Sequence, residues 1–175
     1  MDPLPPPHIF HLNAAQGWLG LGNADEARAE LEQVPATYAG HPEVLQVRWE
    51  ILAAAKDWAA GLEVAAELIH VDPEEPSGWF HRSYCLHELR RTVEARDNLL
   101  RVVEKFPGIA TIRYNLACYE CQLGRLDHAR IWLRKAFRLG RTADMKAQAL
   151  EDRDLEALWP ELRGGMGGKQ AGGTK

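Results

Sequence analysis

Residues 115–136 read NLACYECQLGRLDHARIWLRKA, and the spacing within this stretch decides the fold. Gly124 marks a turn near its centre, and the small residue Ala129 follows five positions later. The same two marks recur every 34 residues towards the N-terminus. The earlier pairs are Arg90 and Ala95, Lys56 and Gly61, and Gly22 and Ala27. An uninterrupted period of 34 is typical of an array of helix–turn–helix repeats.

Apolar residues keep the same register from one repeat to the next. One row on the second helices is formed by Leu31, Ala65, Leu99 and Leu133. A second row, three residues later, is formed by Val34, Leu68, Val102 and Ala136. Because residues three apart share one face of a helix, both rows point to the same side. The pattern therefore predicts an all-α fold in which each repeat packs on its neighbours.

Proline and glycine breaks divide the chain into four kinds of segment. We expect a flexible Pro-rich lead over 1–8, an array over 9–141, a capping helical segment over 142–163 and a disordered Gly-rich tail over 164–175. The four repeats of the array are expected at about 9–41, 42–75, 76–109 and 110–141. The apolar residues expected to cap the last repeat are Leu150, Leu155, Leu158 and Trp159.

Composition narrows the class of protein. The chain is 46% hydrophobic, but its apolar runs are short and interrupted by charges, so no membrane association is expected. The N-terminal residues lack the basic and apolar regions of a secretion signal. Three cysteines do not make a disulfide framework, which favours a reducing, cytoplasmic environment.

The sequence motifs of these repeats resemble those of the tetratricopeptide repeat (TPR) family. The fourth unit carries Asn115-Leu116-Ala117, the run from Leu123 to Ala129, Leu133 and Ala136. The third unit matches at Trp79, Leu86, Glu94-Ala95, Leu99 and Pro107. The resemblance covers about residues 9–141. It implies a right-handed α-solenoid of four repeats followed by C-terminal capping helices.

The resemblance also implies a non-enzymatic adaptor that binds a protein or peptide in a concave groove lined by the first helices. Family positions then assign the groove residues. The candidates are Gln16, Gln46, Glu50, Phe80, Tyr84, His87, Thr111, Tyr114, Cys118 and Cys121, with Ile9, Leu12, Leu19, Glu43, Ala53 and Ser77 beside them. Phe80, Tyr84 and Tyr114 have the chemistry of binding hot spots. Packing of the two tyrosines against a neighbouring helix or the cap is the alternative.

Charge is distributed unevenly along the array. Residues 1–75 have a net charge of −10, and residues 76–141 have a net charge of +7. A solvated surface accounts for this asymmetry, although the acidic and basic ends of two molecules could also attract each other and form a homo-oligomer. The 34-residue period and the overall charge of −4 speak against nucleic acid as a partner. The groove positions also lack the cations that would clamp an acidic C-terminus.

Two alternatives to the adaptor remain within the binding class, namely a small chaperone that shields an apolar partner segment and a structural protein that associates with itself. A metal site is only weakly suggested by His87, Cys118 and Cys121, because a structural zinc site needs a fourth ligand. No cofactor is expected. The sequence contains no phosphate-binding loop, nucleophile elbow or His-Glu-x-x-His motif, so we do not expect an enzyme.

Overall fold

The computed structural model describes residues 3–164, and every regular element within them is helical. The α-helices are α1 (His8–Gly20), α2 (Ala24–Leu31), α3 (Pro42–Ala54), α4 (Trp58–Val71), α5 (Pro76–Glu88), α6 (Thr92–Leu100), α7 (Ala110–Gln122), α8 (Leu126–Leu139), α9 (Thr142–Glu151) and α10 (Trp159–Arg163). Short 3₁₀ helices occur at Ala36–Tyr38 and Arg153–Leu158. The predicted all-α fold of helix–turn–helix repeats is confirmed. The tail predicted over 164–175 lies, apart from Gly164, outside the described residues.

The four turn residues predicted by the 34-residue period all adopt the left-handed backbone conformation. The φ angle is +76° at Gly22 and +74° at Gly124, and it is +57° at Lys56 and +63° at Arg90. Left-handed backbone is accessible to glycine at no steric cost but is unfavourable for residues with a Cβ atom. The backbone of the turn is therefore conserved between repeats although the residue that makes it is not.

Side-chain caps begin the second helix of the first two repeats. Asn23 Oδ1 accepts a hydrogen bond of 3.2 Å from the Glu26 N–H, and Asp57 Oδ1 accepts one of 3.2 Å from the Ala60 N–H. Such caps satisfy amide groups that have no partner inside the helix. In these two repeats the left-handed residue is followed directly by the cap, so that the chain reverses over three residues.

The described residues divide into two compact units, and the boundary between the units follows Val102. The first unit contains the helical pairs α1–α2, α3–α4 and α5–α6. Its small repeat residues Ala27, Gly61 and Ala95 are buried, as is Ala15 on α1. Buried alanine and glycine let two helices of a pair approach closely, which explains why the sequence keeps a small residue five positions after each turn.

The start of the first unit differs from the flexible lead predicted over 1–8. Leu4 is only 3% exposed and belongs to the same core cluster as Leu12 and Val44. The Pro5 carbonyl accepts a hydrogen bond from the His8 N–H, which leads the chain into α1. Leu4 thus adds apolar surface to the core of the first repeat.

The second unit contains the pair α7–α8 and the helices that follow it. Leu155, Leu158 and Leu162 are completely buried, and the 3₁₀ helix that carries the first two packs against α7 and α8. Arg130 on α8 binds both carboxylate oxygens of Glu161 on α10 at 2.8 and 2.7 Å. This bidentate pair lowers the pKa of Glu161 and attaches the last helix to the repeat.

Within residues 3–164, no helix combines the length and the apolar character needed to cross a membrane.

Candidate functional site

A cavity of about 400 Å³ lies among α1, the start of α3, the end of α4 and the start of α5. We call it the groove pocket. Six of the residues that line it were assigned to the groove from repeat register, namely Ile9, Leu12, Gln16, Glu43, Gln46 and Ser77. Its other lining residues are Asn13, Pro42, Leu68, Asp72 and Glu75. The structure thus brings residues of three successive repeats to one concave site.

A chain of hydrogen bonds runs from the groove pocket into the protein. Gln46 Nε2 donates to Glu50 Oε1 at 2.9 Å, and Gln46 Oε1 lies 2.9 Å from His81 Nε2. Because the amide oxygen only accepts, Nε2 of His81 carries the proton. The ring is 5% exposed, and among residues 3–164 its buried Nδ1 has no hydrogen-bond partner. Burial lowers the pKa of His81 from 6.5 to about 3, so the ring is neutral.

Four aromatic side chains extend the site from this histidine along α3, α4 and α5. We call Trp49, Trp58, Phe80, His81 and Tyr84 the aromatic cluster. Trp49 stacks on His81 with ring centroids 3.6 Å apart, and the Phe80 ring meets His81 edge-on at 4.4 Å. The Tyr84 ring meets Trp58 edge-on at 5.4 Å, yet 39% of Tyr84 is exposed. Tyr84 therefore packs against neighbouring helices and still presents a surface to solvent.

On the first helices, Trp49 occupies the repeat position held by the small residues Ala15, Ser83 and Ala117 in the other repeats, and Gly61 explains how it fits. The Trp49 Nε1–H group points at Cys85 Sγ, 3.4 Å away. A Cβ atom on Gly61 would lie 3.1 Å from that sulfur and 3.6 Å from the Trp49 Nε1. Glycine in place of the usual alanine thus leaves room for the indole. The sequence showed the unusual residues at positions 49 and 61, but it did not show that they are in contact.

His87, which was predicted to line the groove, lies in the interior of the first unit. Only 8% of it is exposed, and its Nδ1 is 3.0 Å from Thr92 Oγ1 at the start of α6. Repeat register assigned His87 to the groove. In the structure its imidazole turns towards the start of α6, the second helix of its own repeat.

The groove positions of the second unit are covered by the chain itself. Thr111 is exposed, but Tyr114, Cys118 and Cys121 are 4%, 4% and 7% exposed. Asp152 Oδ2 accepts a hydrogen bond of 2.9 Å from the Tyr114 hydroxyl and one of 3.5 Å from the Cys118 thiol. Repeat register assigned these three residues to the groove, and the structure places them against the C-terminal segment, which for Tyr114 is the alternative of packing against the cap.

Sequence reasoning missed Asp152 because it stands in the break between two predicted helices, outside the 34-residue period. Asp152 also accepts the Asp154 N–H at 3.0 Å and so begins the 3₁₀ helix. Gln122 Nε2 donates to the Asp154 carbonyl at 3.2 Å. The segment from Asp152 to Leu158 therefore lies on α7 much as a bound peptide would, and it places its two leucines over the last repeat.

The ligand-type residues also gather differently from the weak candidate of His87, Cys118 and Cys121. Among residues 3–164, one group has three potential ligand atoms within 4.8 Å of one another, and it consists of Cys118, Asp152 and Asp154. Burial and the neighbouring carboxylates raise the pKa of Cys118 well above its usual value. The thiol keeps its proton and donates it to Asp152, which makes this group a hydrogen-bonded contact.

Comparisons with known proteins agree with this architecture. The model of the tetratricopeptide repeat family matches residues 50–108 and 91–144, which together span more than half of the chain. The solved structure described as "MamA MSR-1 C2" has a TM-score of 0.63 and 18% identity over 76% of each chain. The one described as "MamA RS-1 ArsTM double mutant" has a TM-score of 0.67 and 13% identity, covering 79% of this chain and 78% of that one. At these identities the likeness shows a shared fold. The comparison with curated proteins found no match.

Proposed function

Since this chain belongs to the tetratricopeptide repeat family, we propose that it is a non-enzymatic protein-interaction scaffold whose groove binds a segment of a partner protein. The groove in question is the one formed by α1, α3 and α5 of the first unit. The observation that carries the proposal is the coincidence of two independent assignments. Repeat register picks out a set of groove positions, and six of those positions line the groove pocket.

The aromatic cluster supports the same site from the other side of Gln46. This residue lines the groove pocket and also contacts His81, so the pocket and the cluster adjoin. Phe80 is half-buried and Tyr84 is partly exposed, and rigid aromatic side chains of this kind carry much of the energy in protein interfaces. We therefore assign partner contact to Gln16, Gln46, Glu50, Phe80 and Tyr84.

The second unit contributes less to the proposed binding surface. Its groove positions Tyr114, Cys118 and Cys121 are already in contact with residues of the C-terminal segment. Thr111 at the start of α7 is exposed and remains a candidate. A surface for self-association built on Ile9, Leu12 and Leu19 is less favoured, because Leu12 is buried and the other two pack against the first core cluster.

The experiment that tests this proposal is affinity capture from a cell lysate with matched variants. We expect the wild type to retain a partner that Phe80→Ala/Tyr84→Ala loses by at least about tenfold, because truncating hot-spot aromatics typically costs more than 1 kcal/mol each. Val93→Ala/Leu100→Ala is the control, since both residues are exposed apolar side chains on the second helix α6. Circular dichroism first establishes that all three proteins are equally helical.

Two results would contradict the proposal. Equal recovery of the same partner by the Phe80→Ala/Tyr84→Ala variant would remove the groove as the binding surface. Recovery of only the chain itself would favour the self-associating protein. A chaperone for an apolar segment would use the same groove, and it would be distinguished by the apolar character of the segment that is recovered.

A further inference from the structure

The acidic half of the chain has very few cations, and none of them reaches the groove. Residues 1–75 contain only three basic side chains of the Lys or Arg type, Arg28, Arg48 and Lys56. None of the three lines the groove pocket. The net charge of −10 over these residues is therefore not compensated locally at this site.

Three carboxylates line the groove pocket, one from α3 and two from the link between α4 and α5. Glu43 lies in the first turn of α3, Asp72 follows the end of α4, and Glu75 precedes α5. All three are exposed, and within the part of the chain that the structure describes no Lys or Arg forms a salt bridge with any of them. One oxygen of Asp72 accepts the Glu74 N–H at 3.2 Å, which leaves its second oxygen available.

A histidine lies beside the first of these carboxylates. His41 Nδ1 is 4.0 Å from the Glu43 carboxylate and accepts a hydrogen bond of 3.3 Å from the Glu43 N–H. The ring nitrogen that faces Glu43 thus caps the start of α3.

The floor of the groove pocket is aliphatic. Leu12 and Leu68 are 2% and 5% exposed and face the cavity together with the half-buried Ile9. An apolar floor beneath a carboxylate rim suits side chains that have an aliphatic stem and a cationic head, which are Arg and Lys. A cavity of about 400 Å³ is large enough to hold one such side chain and part of the apolar residue beside it.

We propose that the groove pocket takes an Arg or Lys side chain of the partner, flanked by aliphatic residues, with its cationic head between Glu43, Asp72 and Glu75. This inference rests on the proposed function, and it names the chemistry of the segment that the groove selects. Charge-assisted hydrogen bonds to carboxylates supply both affinity and orientation. The site is thus opposite in charge preference to a groove that captures an acidic C-terminus.

The probe is a fluorescein-labelled peptide in which Arg and Leu alternate, compared with peptides in which Gln or Glu replaces Arg. Fluorescence anisotropy measures the affinity of the full chain for each. We expect the Arg peptide to bind at least about tenfold more tightly than the Gln peptide, because one charge-assisted contact of moderate strength corresponds to that factor. Equal affinities for the Arg and Gln peptides would overturn the inference.

A pair of charge-matched variants separates a specific pocket from general attraction to an acidic protein. Glu43→Gln/Glu75→Gln removes two charges from the pocket rim, and Glu63→Gln/Glu67→Gln removes two exposed charges of α4 that do not line it. We expect the rim variant to lose at least about tenfold in affinity for the Arg peptide and the α4 variant less than about threefold. Equal losses in the two variants would overturn the inference.

The same rim variant, used in the lysate capture, distinguishes this inference from the proposed function. If it loses the partner, the pocket contributes the contact that we assign to it. If the rim variant retains the partner while Phe80→Ala/Tyr84→Ala loses it, the groove is the binding site, but the pocket does not bind a basic side chain of the partner. If both variants retain the partner, the groove is not the binding site.

Discussion

Lys56 and Arg90 adopt a left-handed backbone that Gly22 and Gly124 adopt at the same position of their own repeats. Replacing such a residue by glycine removes a steric cost of roughly 1–2 kcal/mol from the folded chain. The greater conformational freedom of glycine stabilises the unfolded chain by roughly 0.4–1 kcal/mol, which offsets part of this gain. We expect Lys56→Gly or Arg90→Gly to raise the free energy of unfolding by about 1 kcal/mol, measured by urea denaturation.

The matched controls test whether the effect comes from the backbone. Lys56→Ala removes the charge but keeps the Cβ atom, so we expect it to leave stability within about 0.5 kcal/mol of the wild type. Gly124→Ala should lower stability by about 1 kcal/mol. A stabilisation by Lys56→Ala as large as that by Lys56→Gly would assign the effect to charge instead.

His81 gives the first unit a dependence on pH whose sign follows from its environment. Its pKa in the folded chain is about 3, below the usual 6.5, so the unfolded chain binds the proton first on acidification. The contribution of neutral His81 to the free energy of unfolding is complete above pH 6.5. It is lost progressively as the pH falls from 6.5 to 3. When the pH is lowered from 7 to 5, the free energy of unfolding of the wild type should fall by about 2 kcal/mol more than that of His81→Phe.

Urea denaturation at the two pH values measures this difference within each protein, so that the cost of the substitution itself cancels. Phenylalanine keeps an aromatic ring against Trp49 and removes the titrating group. His70→Phe is the control, because His70 is exposed at the end of α4. Identical losses for the wild type and His81→Phe would show that the ring becomes protonated in the folded chain.

At the scale of elements, the segment from Asp152 to Leu158 and helix α7 act as a pair. Asp152→Ala would leave the buried Tyr114 hydroxyl and Cys118 thiol without their acceptor. We expect a loss of about 2 kcal/mol in the free energy of unfolding, since an unsatisfied buried donor costs roughly 1–3 kcal/mol. The local opening should also speed the reaction of Cys118 and Cys121 with Ellman's reagent by at least about tenfold.

Glu151→Ala provides the comparison, because Glu151 is an exposed residue next to Asp152. In Glu151→Ala, Cys118 and Cys121 should react with Ellman's reagent at the same rate as in the wild type. If Asp152→Ala and Glu151→Ala react at the same rate, the hydrogen bonds to Asp152 do not contribute to the closure of the segment over the two thiols.

Sequence periodicity predicts elements well where they repeat and poorly where they do not. The turns at Gly22 and Gly124 and the small residues after them lie where the 34-residue spacing places them. Leu4 and Asp152 lie outside the periodic region, and their partners depend on tertiary contacts that no register defines. His87 keeps its place in the register, but a side-chain hydrogen bond to Thr92 decides which way it points.

At the scale of the whole molecule, the fold was predictable because the helices of a repeat array pack on each other and on adjacent pairs, as α1, α2 and α3 do in the first unit. Local pattern therefore determines most of the contacts. The groove pocket was predictable in its wall from the first helices α1, α3 and α5, as with Gln16, Gln46 and Ser77. Its acidic rim at Asp72 and Glu75 comes from the link between α4 and α5, a stretch that looked in the sequence like an ordinary break.

The segment that carries Leu155 and Leu158 has a consequence for the length of the array. A further repeat added after α8 would need the apolar surface of α7 and α8 for its own first helix. Those leucines already occupy that surface, and the Arg130–Glu161 pair holds the following helix beside it. The segment from Asp152 to Leu158 therefore blocks the addition of a repeat after α8. Gene duplication could lengthen the array only upstream of this last repeat.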